Sequence, residues 1–523
     1  MPAGNQEPVL GIQEPALGIE EPVSVIQLPA PSFQEPLFKA AGRFVRQRWL
    51  LVLGVSTAAL IPCFWHKHIE AGDLGSHVYN AWLAELVQRG ELSGLRIVPQ
   101  WNNVAFDLLL SAFRKIVNWM WAERLAVSLC VLIFFWGVFA FIAAATRRAP
   151  LLLTPVIAMV SYGWTFEQGF INYYLALGLS FFALAIVWRG EGKERLAVLP
   201  LVPLIFLAHP LGLLWLAGAG GFAIVAERLP RHRVLLFAAA TLLTLSTSFF
   251  LQRHYVVSHS TKAPYVYNGA DQIVLYSRAY KLIAFVLISF VFLALAREIK
   301  RRRNDPEIRG TGIVLLQLYL ILQSLLFVIP EGVLVPGYQA PLTYLPHRLT
   351  TLSAVIICGL LGLMRPRKWH FLAYGTVAAL FFSLLYRDTE IINNMEEQSE
   401  RLVASLPFGQ RVLFTIADGG LRLNIGHFVD RSCINHCFSY GNYEPSTGQF
   451  RVRAMPGNGK VMCQVPDVWL MEVGNYNVRA EDLPAYEIYQ CGEKGRQVCL
   501  RSLAAGEKNS PAVAIQGSPF DVR

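Results

Sequence analysis

Residues 43–68 read RFVRQRWLLVLGVSTAALIPCFWHKH. A basic flank (Arg43, Arg46, Arg48), an apolar run from Trp49 to Trp65 and a polar exit at His66-Lys67-His68 decide the fold, because such a run has a bilayer as its natural solvent. The run starts only after a polar, proline-bearing segment, so it reads as a retained signal anchor rather than a cleaved signal peptide. Composition agrees: of 523 residues, 54% are hydrophobic and only 16% charged, with mean hydropathy +0.40, whereas soluble domains carry about a quarter charged residues. The net charge of +10 is spread in short bursts between apolar runs rather than along one helix or patch. That distribution speaks against a nucleic-acid partner.

Upstream, residues 6–36 hold a degenerate repeat (QEPVLGI, QEPALGI, EEPVSVI) that puts Pro8, Pro15, Pro22, Pro29 and Pro36 in register. Proline at every seventh position excludes a coiled coil, and residues 1–42 read as a disordered cytoplasmic tail. Downstream, spans are predicted near 49–65, 124–145, 150–164, 171–188, 196–208, 211–226, 234–251, 280–296, 311–329, 349–364 and 370–386, about eleven in all. The chain is thus predicted to be an α-helical polytopic membrane protein.

Loop charge sets the orientation. Segments 43–48, 147–148, 189–195, 227–233, 297–309 and 365–368 carry twenty Lys/Arg, while the alternate short loops carry only Arg253, Lys262, Arg278 and Arg348. Positive flanks stay in the cytoplasm, which predicts a cytoplasmic N-terminus in an inner (cytoplasmic) membrane and places residues 387–523 outside. In that tail RVLFTIA, QFRVRA, DVWLMEV and YEIYQC alternate between Gly/Pro/Asn turns and read as strands of a small extracytoplasmic α/β or β-rich domain.

Cysteines divide the same way. Cys63, Cys130 and Cys358 fall in spans and read as small buried apolar residues, while Cys433, Cys437, Cys463, Cys491 and Cys499 all lie in the tail. Two disulfides and one free thiol are expected, with Cys491 and Cys499 flanking a hairpin turn. A zinc site is the competing reading, because Cys433, His436 and Cys437 cluster with His427 nearby.

The longest outer loop of the membrane part, 66–123, begins HKHIEAGDLGSH and continues HVYNAWLAELVQRG. Val78, Trp82 and Leu86 form one helical column and Tyr79, Leu83 and Val87 the next, an amphipathic helix suited to the membrane surface. Asp73 stands at its start, either as an N-cap or as a carboxylate able to take a proton from a hydroxyl, with His77 one turn on. A second loop, YGWTFEQGFINYY (162–174), has Glu167 as its only acid. Glu167 reads either as a structural acid or as a substrate or divalent-metal contact. His209, in LAHPLG, is a helix-end group or a lining residue. Arg348 is the only basic residue of GYQAPLTYLPHR (337–348), suited to a lipid phosphate or to anchoring at headgroups.

One span, a long loop opening on an acid and a surface helix, many further spans and a C-terminal outer domain: this architecture resembles the GT-C superfamily of membrane glycosyltransferases. The resemblance covers nearly the whole chain, though its local motif is short. It implies a polyprenyl-phosphate sugar donor, an acceptor of unspecified class, Asp73 as catalytic base, Arg348 as phosphate contact, and Glu167 as a metal or acceptor contact for Mg or Mn. Members often pair two acids in the first loop, whereas Asp73 here stands between Gly72 and Leu74, with Glu70 and His77 nearest. Two other classes stay open: a secondary transporter, disfavoured by the scarcity of mid-helix charge and of matching halves, and a non-catalytic assembly protein binding through its tail.

Overall fold

A computed structural model describes residues 36–260, 266–301, 308–364, 367–416, 425–455, 463–492 and 496–511. The proline repeat up to residue 35 lies outside the described residues; residues 37–42, expected to belong to that tail, are instead helical. The helices are α1 Leu37–Gln47, α2 Trp49–Leu60, α3 Leu74–Arg89, α4 Ala105–Arg114, α5 Trp119–Thr146, α6 Thr154–Ser161, α7 Trp164–Glu167, α8 Ile171–Arg189, α9 Leu201–Ala208, α10 Pro210–Arg228, α11 Arg233–His254, α12 Arg278–Arg301, α13 Ile313–Leu326, α14 Leu345–Gly362, α15 Lys368–Val403, α16 Phe428–Ser432, α17 Glu444–Thr447 and α18 Val465–Glu472. The strands are short: β1 Leu95–Ile97, β2 Val256–Ser258, β3 Gly332–Leu334, β4 Arg411–Thr415, β5 Phe438–Ser439, β6 Val452–Ala454, β7 Ala485–Cys491 and β8 Gln497–Ser502.

The chain is a polytopic helical protein. Among the described residues seven helices are long and apolar enough to cross a membrane, and an eighth if α1 and the helix after it, bent by 84°, count as one span. Every predicted span coincides with a helix, but 49–65, 150–164, 196–208 and 311–329 fall on shorter ones. Proline explains the shortening of 150–164 and 196–208: Pro155 and Pro200 sit at or before helix starts, and Pro210 ends α9, leaving His209 alone between α9 and α10. The centre of the bundle is α5 against α8, with Phe134 stacked on Tyr174 at 4.3 Å.

Alternate loops meet at one end of the bundle. His66 bonds the Tyr386 carbonyl (3.0 Å), Asp73 N–H donates to the Gln168 carbonyl (3.0 Å), Gln272 donates to the His347 carbonyl (2.9 Å), and β2 pairs antiparallel with β3. Two of the basic segments make contacts of their own: Glu194 accepts the N–H groups of Leu37 and Phe38, and Gln317 donates to the Arg233 carbonyl.

The described residues beyond 403 cap the end where the alternate loops meet. α15 runs unbroken through 386–387, so the expected domain boundary lies inside one helix. The cap holds a four-stranded sheet in the order β5-β4-β7-β8, parallel except for the β7–β8 hairpin. Disulfides join Cys491 to Cys499 across that hairpin and Cys433 to Cys437 after α16, while Cys463 is free and buried. The Cys433–Cys437 bridge and His436, whose Nε2 is 2.8 Å from the Leu406 carbonyl, leave no zinc set in CINHC. One expected strand is a helix: DVWLMEV forms α18, because Pro466 starts it and Val468 and Met471 bury one face while Trp469, Leu470 and Val473 stay exposed, a period of three to four rather than two.

Candidate active site

Asp73 occupies the N-cap position of α3, yet its carboxylate makes no capping bond. The turn is held by backbone instead, through the Gln168 carbonyl and a Leu74 N–H bond to Ala71 O at 2.7 Å. Gly169, at φ +80°, lets the second loop press on it: a Cβ there would lie 2.6 Å from the Leu74 nitrogen. From the opposite side Gly75 admits the His427 backbone, whose carbonyl a Cβ would overlap.

The carboxylate left free in this way retains 28% side-chain exposure and faces His427, whose Nε2 stands 3.8 Å from Asp73 Oδ1. His427 Nδ1 is 2.8 Å from Asp430 Oδ2, and the Ser439 hydroxyl donates to the other Asp430 oxygen. One turn into α3, His77 Nδ1 lies 3.2 Å from Asp107 of α4. Glu444 of α17 accepts from the Ser76 hydroxyl (2.7 Å) and the Asn80 amide (2.8 Å). Asp73 is therefore surrounded by two imidazole–carboxylate pairs and a further acid.

Electrostatics follow from burial and these pairs. Burial raises the Asp73 carboxyl above the ordinary aspartate range, opposed by the positive charges of His427, His77 and Arg348. For His77 burial acts downward, but the Asp107 hydrogen bond and charge outweigh it and the imidazole is pushed up to about 9. The same contest with Asp430 carries His427 up to about 10. Burial lifts Glu444 to about 7, against the pull of His77 and Ser76.

Arg348, in the first turn of α14, is buried with its Cζ 3.6 Å from the Phe170 ring centroid and 5.6 Å from that of Tyr173. Its Nε donates to the Thr343 carbonyl at 3.2 Å. The guanidinium forms no ion pair, and its two terminal nitrogens no hydrogen bond, among the described residues. A buried cation stacked on an aromatic ring and held in no ion pair can accept an anion. His209 shares the Tyr173 ring at 5.3 Å, feels the Arg348 charge, and uses its Nδ1 to accept the Leu211 N–H.

Asp73, His77, His209 and Arg348 thus gather at the capped end. Glu167 does not join them: it shares the loop that fixes Asp73, but its carboxylate accepts from the Tyr276 phenol at 2.8 Å, and it belongs to no metal-ligating group among the described residues. The helix α3 is not a membrane-surface helix. Residues Leu74–Ala84 are all buried, Asn80 included, because the cap covers the face expected to meet water. Sequence reading missed Asp107, Phe170, Asp430 and Glu444, and took His427 only as a metal ligand. The His427/Asp430 spacing of three residues was the one local signal for them. No protein-family model, curated protein or solved structure matches the chain.

Proposed function

We propose that the chain is a membrane glycosyltransferase of GT-C type that moves a sugar from a polyprenyl-phosphate donor to an acceptor hydroxyl, with inversion, on the extracytoplasmic face. The observation that carries this reading is the pairing of an uncapped, partly exposed Asp73 carboxylate with the unpaired, buried Arg348 guanidinium. Asp73, its carboxyl raised by burial, takes the proton of the acceptor hydroxyl; a base closer to neutrality does this better than an ordinary aspartate. The hydroxyl oxygen attacks the anomeric carbon opposite the lipid phosphate, through an oxocarbenium-like transition state. The phosphate departs against Arg348, and His77 and His209 line the space between.

The topology proposed with this is eleven crossings with the N-terminus cytoplasmic and the cap outside. Three things support it: the convergence of alternate loops at one end, the alternation of basic loops along the sequence, and the disulfides in the cap. The test is transfer of label from a polyprenyl-phosphate sugar by membranes bearing the wild-type chain or Asp73→Asn. Loss of transfer with normal protein levels is expected, and wild-type transfer by Asp73→Asn overturns the reading. The exposed Trp469, Leu470 and Val473 face of α18 favours a second reading, an assembly protein that docks a partner there, and that outcome would point to it.

A further inference from the structure

We propose that His68, Glu396 and Glu400 form a binding site for a divalent transition-metal ion of the zinc class, separate from the Asp73 cleft, that ties the first loop to α15. Glu396 and Glu400 are four residues apart on α15 and so share a face, and His68 approaches them from the loop that follows the first span. One ligand atom from each of the three lies within 4.8 Å of the others. A tetrahedral zinc with bonds of about 2.1 Å holds its ligand atoms about 3.4 Å apart, so side-chain adjustment of about an ångström closes the site.

His68 itself supplies the independent sign. Its side chain is only 7% exposed, with Nε2 3.1 Å from Glu400 Oε1 and Nδ1 3.7 Å from Glu396 Oε1. Nε2 is enclosed, and its contact with Glu400 lacks the alignment of a hydrogen bond. A buried imidazole and a carboxylate that face each other off hydrogen-bond alignment are placed as two ligands of one metal ion are.

Charge points the same way. Among the described residues Glu70, Glu123, Glu396 and Glu400 stand around Arg431 and Lys67, with Arg124 acting on Glu123. Arg431 engages Glu396 through both its oxygens at 2.6 Å, and Lys67 holds Glu400 Oε2 at 2.5 Å, so each ligand carboxylate is oriented while keeping lone pairs for a metal. One imidazole and two carboxylates, with a fourth position for water, suit zinc rather than the all-oxygen shells of calcium or magnesium. Lys67 and Glu400 lie at the rim, with side chains 47% and 29% exposed, which gives an ion a way in.

The full-length protein, purified in detergent, is dialysed against micromolar zinc, then against metal-free buffer, and its metal content measured. Wild type is expected to keep about one zinc per chain, and His68→Ala and Glu400→Gln to keep roughly tenfold less. Glu397→Gln, at the adjoining α15 position that pairs with Arg401, should keep the wild-type amount. Zinc should raise the melting temperature of wild type and Glu397→Gln but not of Glu400→Gln, whose rim position preserves folding. No retained zinc in wild type, or equal zinc in wild type and both ligand variants, overturns the proposal.

Discussion

Two buried arginines carry opposite signatures. Arg431 is enclosed by Glu396, Glu123 and Glu70 and also donates to the Ile69 carbonyl at 3.1 Å, whereas Arg348 has a stacked ring and one carbonyl but no acid. Removing the first leaves buried carboxylates uncompensated, a loss of about 3–5 kcal/mol. Arg431→Met should therefore fail to accumulate or melt far below wild type. Removing the second breaks no ion pair among the described residues. Arg348→Met should melt close to wild type while losing donor binding, read as a raised KM for the polyprenyl-phosphate sugar; a collapse of its melting temperature would make Arg348 a structural residue.

The imidazoles set a pH dependence with a definite sign. His77 and His427 titrate in the folded state at about 9 and about 10, above the ordinary 6.5, so the folded chain holds their protons more tightly. Their stabilisation is complete below about pH 6.5 and is lost as pH rises through 9 to 10. Glu444, lifted from 4.5 to about 7 by burial, adds a loss of stability between those values. Thermal melts of the solubilised protein should fall steadily from pH 5 to pH 10, and His427→Gln should flatten the upper part of that slope. A wild-type midpoint that rises over the range would contradict both pairs.

At the scale of elements, what was legible depended on whether a pattern is decided by its own segment. The apolar runs were readable because hydrocarbon imposes one requirement on every residue, and α5, α8 and α14 fall where hydropathy puts them. In α3 the columns of Val78, Trp82 and Tyr79 predicted the helix, but its polar face was assigned to water, since nothing local says that Glu444 and Asn442 cover Asn80 from more than three hundred residues away. The strand reading of α18 failed similarly, because a short apolar stretch fits either period until its packing is known. The Asp73 cleft shows the same division: Asp73, His77, His209 and Arg348 stood out as lone polar groups at helix ends, whereas Asp107, Asp430 and Glu444 acquire meaning only through the partners the fold gives them. Asn80 offers a direct check on the covered face. Asn80→Ala removes a donor from buried Glu444 and should cost about 1–3 kcal/mol, seen as a lower melting temperature. An exposed, membrane-surface Asn80 would lose almost nothing.

For the whole molecule the question is how far the cap is separable from the bundle. β6 pairs antiparallel with β1, Arg431 reaches Glu123 of α5, and His427 abuts Asp73, so the cap completes the first loop rather than hanging from it. The disulfides, by contrast, act locally: their cysteines are four and eight residues apart, and chain entropy assigns loops of that size about 2–3 kcal/mol each. Reduction should therefore lower the melting temperature without releasing the cap from the bundle. The same cysteines report sidedness. Of the eight, Cys433, Cys437, Cys491 and Cys499 are paired and Cys63, Cys130, Cys358 and Cys463 are free and buried. If the cap lies in an oxidising compartment, denaturing the protein directly from cells in an alkylating agent should label the second four and leave the first four protected until reduction. Labelling of all eight without reductant would place the cap in a reducing compartment and reverse the orientation drawn from the loop charges.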